Sequence, residues 1–170
     1  MNFKRVVFTL VLLVITHICS LKAYAASFKP YQVKAVYVFR MASFIRWTNE
    51  SEMKSLNFCI IGDDKVKRVL STITEGKVIR ELPITVTSNM NEECNVTYVT
   101  GYNSTFDRKK YTTPSNVTIS DQKNFTKQGG VIELQTVNSQ IKPKINLDNV
   151  QLDDYTIGSN LLRIATVEGK

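Results

Sequence analysis

The sequence predicts an α/β fold: a three-layer arrangement with a mixed, partly parallel sheet flanked by helices and a late β-hairpin. Three observations carry that expectation. Short apolar or β-branched runs, bounded by Gly, Asp, Asn and Pro, recur from Leu56 onward and read as strands. Segments with apolar residues at helical spacing intervene between the first of them, and such alternation implies parallel strands with helices on both faces. Late in the chain, VIELQTV and QIKPKINL flank Asn138-Ser139 with no helix between them, which predicts an antiparallel hairpin.

The chain opens with Lys4 and Arg5, continues through an apolar run from Val6 to Leu21, and reaches Ala23-Tyr24-Ala25. A basic start, an apolar middle and small residues at the two positions a signal peptidase reads form the layout of an export signal. The run is shorter than the roughly 20 residues needed to span a bilayer. Residues 1–25 are therefore expected to be a cleaved signal peptide, and residues 26–170 one exported domain. Removing Lys4, Arg5 and Lys22 from the 22 basic residues leaves 19 against 15 acidic ones, a charge of +4. That balance is too mild for a nucleic-acid binder.

YQVKAVYVFRMASFIRW, residues 31–47, has no Gly or Pro inside, and Pro30 stands where a first turn tolerates it. The spacing predicts one helix over 31–47. At about 100° per residue, Gln32, Arg40, Ser43 and Arg46 fall within one stripe, shared with Val36, Phe39 and Trp47. Off the stripe Lys34 is the polar exception among apolar residues. A helix this apolar is either buried on most sides or docked on a partner.

LNFCII, residues 56–61, reads as a buried strand stopping at Gly62-Asp63-Asp64. Either aspartate can cap a helix through Leu70, with Val66, Val69, Leu70 and Ile73 at helical spacing. Strands are expected at Ile84–Thr87, Val96–Thr100 and Val117–Ser120, with a short helix or turn over Thr105–Tyr111. Pro143 marks the second hairpin strand as an edge. Asp148–Leu152 is expected to be helical, and a last helix to start at Ser159 and run to about Thr166.

Cys59 and Cys94 are the cysteines left after processing, and thiols in an oxidising compartment pair. A bond between them would close a loop of about 36 residues, contributing at most ~4 kcal/mol in the chain-entropy account. Two buried free thiols are the other reading. The one histidine, His17, leaves with the signal, so neither a histidine-based triad nor a histidine metal site can form. Asp63-Asp64 and Asp153-Asp154 are adjacent in sequence and do not face each other on a helix, so caps and loop ends explain them. No catalytic residue, metal or cofactor is predicted. Five Asn-x-Ser/Thr triplets, such as Asn95-Val96-Thr97, follow from a chain rich in Asn and Thr.

Tyr31, Lys34, Ala35, Phe44 and Trp47 form a pattern that resembles the start of the YfiR family, the HmsC-like bacterial periplasmic regulators. Thr48 stands where that family usually has Pro. FCIIGDD is similar to the family's Cys-bearing first strand and Gly-Asp turn, and Cys94 matches the partner cysteine. GGVIELQ, KINLDNV and IGSNLLRIA resemble its closing segment. A second disulfide of some members has no counterpart, because no cysteine follows Cys94.

The resemblance implies a small periplasmic repressor, not an enzyme. It would bind the periplasmic region of an inner-membrane diguanylate cyclase and hold it inactive, lowering cyclic di-GMP and biofilm formation. An outer-membrane lipoprotein could sequester it, and a homodimer is compatible with the family. The first helix with Arg40, Arg46 and Trp47 is the candidate docking face. A small-molecule binding module, using the crevice at the strand ends of the sheet, is the alternative.

Overall fold

The computed structural model describes residues 28–90, 93–101, 107–111, 113–138 and 140–170. The proposed signal peptide lies outside them, as does the first part of the predicted Thr105–Tyr111 helix. The elements in chain order are α1 (Pro30–Ala42), β1 (Ile45–Trp47), β2 (Leu56–Ile61), α2 (Asp64–Thr74), β3 (Val78–Ile79), β4 (Leu82–Thr87), β5 (Val96–Val99), α3 (Arg108–Tyr111), β6 (Val117–Ser120), β7 (Ile132–Val137), β8 (Gln140–Asn146), β9 (Tyr155–Ile157), α4 (Ser159–Ile164) and β10 (Thr166–Glu168).

Eight strands form one mixed sheet in the order β10-β8-β7-β6-β5-β2-β4-β3, and β1 pairs with β9 in a separate two-stranded ribbon. The centre is parallel: β4, β2, β5, β6 and β7 run the same way. β5 (VTYV) and β6 (VTIS) are buried at every position. Parallel strands covered on both faces must be apolar or β-branched throughout, and these are. The hairpin β7–β8 is antiparallel, closed by Val137↔Gln140.

One face of the sheet carries the larger core. Leu56, Phe58 and Ile60 of β2 and Val96 and Tyr98 of β5 point into it, against Ala35, Val38 and Met41 of α1 and Val66 and Leu70 of α2. Alternate residues turn to the other face, where Val99 packs with Tyr111 of α3 and Phe125. The helix at α2 starts as its sequence demands. The Asp63 carboxylate accepts from the Lys65 and Val66 amides at 3.0 Å, a side-chain N-cap.

The segment 31–47 is two elements, not one helix. The helix stops at Ala42, and Ile45–Trp47 becomes a strand in register with β9: Ile45↔Ile157, Arg46↔Thr156, Trp47↔Tyr155. The alternation buried–exposed–buried over Ile45, Arg46 and Trp47 has period two, and pairing with β9 overrides helical spacing. Gly158 makes the junction possible. Its amide donates to the Phe44 carbonyl at 2.7 Å, and a β-carbon there would stand 2.9 Å from that oxygen.

Four other expectations need correction. Asp148–Leu152 is not helical as a unit: a single 3-10 turn spans Leu147–Asn149, and β9 follows. The last helix is capped by Gly158, not Ser159, and ends at Ile164, after which β10 forms. β10 pairs in parallel with Lys144–Asn146, so only the first part of β8, where Pro143 stands, lacks an outer strand. The Ile84–Thr87 strand begins earlier, at Leu82, because Arg80 and Glu81 turn the chain with positive φ (48° and 73°) and fold β3 back onto it.

Candidate functional site

Cys59 and Cys94 are joined. Their α-carbons are 5.8 Å apart, within the span a disulfide requires, and both side chains are fully buried. The bridge links the middle of β2 to the residues just before β5, its neighbour in the sheet. It reinforces the centre of the fold and offers no exposed sulfur.

The three residues expected on a docking face fall in three places. Arg40 is exposed on α1, at the rim of an apolar groove of about 290 Å3. Val36, Met41 and Phe44 of α1 form one wall, and Pro143 of β8 with Leu161 and Ile164 of α4 the other. Val36 is 38 % and Ile164 61 % exposed, so the groove opens to solvent. Among the described residues no carboxylate lies within ion-pair distance of the Arg40 guanidinium. Arg46 is also exposed, on β1 opposite Thr156.

Trp47 is buried, 4 % exposed, which corrects its place on the face. Its indole N–H donates to the Ser115 carbonyl at 2.7 Å, and the Arg80 guanidinium lies 5.9 Å from its ring centroid. A ring held this way supports the surface from beneath.

Arg80 is the residue the sequence did not single out. It donates to the Glu50 carboxylate at 2.7 Å and to the Ile45 carbonyl at 2.8 Å. The hydrogen bond from Arg80 holds the Glu50 carboxyl below its ordinary range, against the opposing effect of burial. Thirty residues separate this pair in sequence, and only the two positive-φ residues at 80 and 81 hint at a special turn.

A crevice for a small ligand would lie where β4 and β5 depart to opposite sides of β2. There the chain is closely packed. A β-carbon on Gly62 would stand 2.1 Å from the Thr100 carbonyl oxygen. Asp121 accepts from Thr100 Oγ1 at 2.9 Å and is ion-paired with Lys34 of α1. Burial opposes the charge on Asp121, but Lys34 and Thr100 prevail and keep its carboxyl below the usual range. Tyr98 beneath them is pushed far above the ordinary phenol range by burial and by the Asp121 charge. Lys34, the polar exception of the first helix, is thus explained by a partner inside the protein. Among the described residues no three histidine, cysteine, aspartate or glutamate side chains are grouped so as to hold a metal.

Among the described residues, no helix is long and apolar enough to cross a membrane. A comparison with curated proteins finds no match. A comparison with protein families matches residues 31–166 to the family described as YfiR/HmsC-like. The match starts at Tyr31 of α1, takes in both bridged cysteines and the whole of the eight-stranded sheet but its last two residues, and ends at the start of β10. The chain belongs to the YfiR/HmsC-like family, whose members are periplasmic regulators.

Proposed function

We propose that this protein is a periplasmic repressor that binds the periplasmic region of an inner-membrane diguanylate cyclase and keeps the enzyme inactive. The family match over residues 31–166 carries the reading. A repressor of this kind acts as an allosteric ligand, and it shifts the cyclase only by binding the inactive state more tightly. Moving a two-state enzyme from mostly active to mostly inactive takes roughly 5 kcal/mol of differential binding. That asks for apolar contact together with a fixed polar anchor. The groove between α1, β8 and α4 offers apolar walls and, at its rim, the Arg40 guanidinium, which has no carboxylate partner among the described residues. Arg46 is a second exposed cation on the adjoining β1. An outer-membrane lipoprotein that covered this face would release the enzyme, and a homodimer could form through the same apolar walls.

Deletion and capture test the reading together. Removing the protein is expected to raise cellular cyclic di-GMP and biofilm while the cyclase is present, and removing the cyclase as well is expected to abolish the rise. Affinity-tagged protein is expected to co-purify a membrane protein bearing a cyclase domain. An unchanged cyclic di-GMP level in the single deletion, with the cyclase expressed, overturns the repressor reading.

A further inference from the structure

The charge of the exported chain is not spread evenly. Residues 26–170 carry 19 basic and 15 acidic side chains, an excess of four. Residues 28–43 and 63–77, which hold α1 and α2 with their flanks, contain seven basic residues and three acidic ones, also an excess of four. The remainder, 12 basic and 12 acidic residues, is neutral in sum. The whole net charge therefore belongs to the two long helices.

The fold lays these helices side by side. Lys65 at the start of α2 stands over the ring of Tyr31 at the start of α1, its ammonium 6.0 Å from the centroid. Lys77, just past the end of α2, stands over Phe39 in the last turn of α1 at 5.6 Å. Contacts at both ends make the helices parallel neighbours, and both pack their buried stripes on the same core. The opposite stripes face solvent: Val36, Arg40 and Ser43 on α1, and Lys65, Arg68 and Thr72 on α2. Lys34 is turned inward to Asp121, Lys67 is half-buried, and the Asp63 carboxylate caps α2. The exposed surface then holds Lys29, Arg40, Lys65, Arg68 and Lys77 against Asp64 and Glu75 at the two ends of α2. Among the described residues no carboxylate lies within ion-pair distance of any of these five cations. Phe28, immediately before this surface, is 75 % exposed.

We propose that the α1–α2 face seats the protein on a bilayer containing anionic phospholipid. Charge complementarity selects an anionic surface, because the entire positive excess is gathered there. The side chains that accompany the cations select a lipid one. Lysines lying over aromatic rings, with exposed Phe28 and Val36 beside them, combine cationic heads for phosphates with apolar bodies for the acyl boundary. The 13 residues of α1 make the face about 20 Å long, so its cations meet several headgroups at once. What such seating would serve rests on the repressor reading. The groove at Arg40 lies on the flank of α1 away from α2, where a protein embedded in the same membrane can reach it. Confinement to the membrane surface would also raise the concentration that such a partner meets.

Vesicle sedimentation with the exported protein tests the assignment. Binding to phosphatidylcholine vesicles holding about one-third phosphatidylglycerol is expected to be at least about tenfold tighter than to phosphatidylcholine alone, and to weaken by a similar factor between about 50 and about 500 mM salt. Lys65→Glu combined with Arg68→Glu is expected to weaken binding to the anionic vesicles at least about tenfold. Lys109→Glu combined with Lys110→Glu, on α3 across the sheet, changes the net charge equally and is expected to weaken it less than about threefold. Both double variants are expected to melt with the parent, and Lys65→Gln with Arg68→Gln repeats the test should the glutamates disturb α2. Equal binding to the two kinds of vesicle, or equal losses in the two double variants, overturns the proposal. So does binding to immobilised polyglutamate with none to vesicles, which assigns the face to an acidic protein. Capture of the cyclase in detergent is expected to survive the Lys65 and Arg68 exchanges, so failure of the lipid assignment and failure of the repressor reading are told apart.

Discussion

Lys34 on α1 and Asp121 just beyond β6 are ion-paired across 87 residues of sequence, with side chains 22 % and 20 % exposed. The pair fastens the start of α1 to the carboxyl ends of β5 and β6, since Thr100 donates to the same carboxylate. Asp121→Asn leaves a half-buried ammonium facing a neutral amide, and a loss of about 2 kcal/mol is expected. Combining it with Lys34→Met is expected to recover part of that loss, because no charge is then left unpaired. Denaturant unfolding of the two variants and the double variant measures the coupling.

The pH dependence follows from the same pair and from Glu50 beside Arg80. Both carboxyls lie below their ordinary range in the folded chain. A depressed folded-state value gives stability that is fully present above the unfolded value, near 4, and is lost as pH falls through the folded value. Melting temperature is therefore expected to hold from neutral pH to about 5 and to fall below about 4. Asp121→Asn is expected to flatten that acid limb.

The bridge makes a prediction that needs only a reductant. Its cysteines are 35 residues apart. Replacing both with Ala is expected to cost up to ~4 kcal/mol, because the unfolded chain regains the freedom of that loop. Denatured mature protein, from which Cys19 has left with the signal, is expected to show no reactive thiol until reduced.

Arg40 and Trp47 separate contact from support. Arg40→Glu is expected to weaken capture of the cyclase about tenfold while leaving stability within about 0.5 kcal/mol, since the side chain is exposed and has no ion pair among the described residues. Trp47→Ala removes a buried ring and is expected to cost about 3–5 kcal/mol, with binding lost only as the fold is lost. Paired melting and pull-down measurements distinguish the two outcomes.

What the sequence made legible was whatever its local pattern determines. Apolar runs located β2, β5 and β6, the Asp63 cap located α2, and the turn at residues 138–139 located the hairpin. Lys34 stood out as a misplaced charge, though only the fold shows Asp121 waiting for it. The short strands escaped. Ile45-Arg46-Trp47 continues a helical spacing, and what makes it a strand is Tyr155–Ile157, more than a hundred residues on. Trp47 looked like a partner's anchor because an aromatic at the end of an amphipathic run carries no mark of whether Ser115 will cover it. Arg80 and Glu50 are an ordinary pair of charges until the β3–β4 turn brings them together.

The bridge between Cys59 and Cys94 also bears on how fast the chain can fold. Phe58 pairs with Val96 at the centre of the sheet, across a stretch that contains α2, β3 and β4. Closing a loop of that length before any contact rewards it is a slow step for a parallel pair. Once the sulfurs join, the covalent path between those two residues runs only through Cys59, Cys94 and Asn95. The central strand pairing becomes, in effect, a local contact. Oxidised chains are therefore expected to refold faster than reduced ones, and the order in which oxidation and folding occur after export sets the pace at which working protein appears.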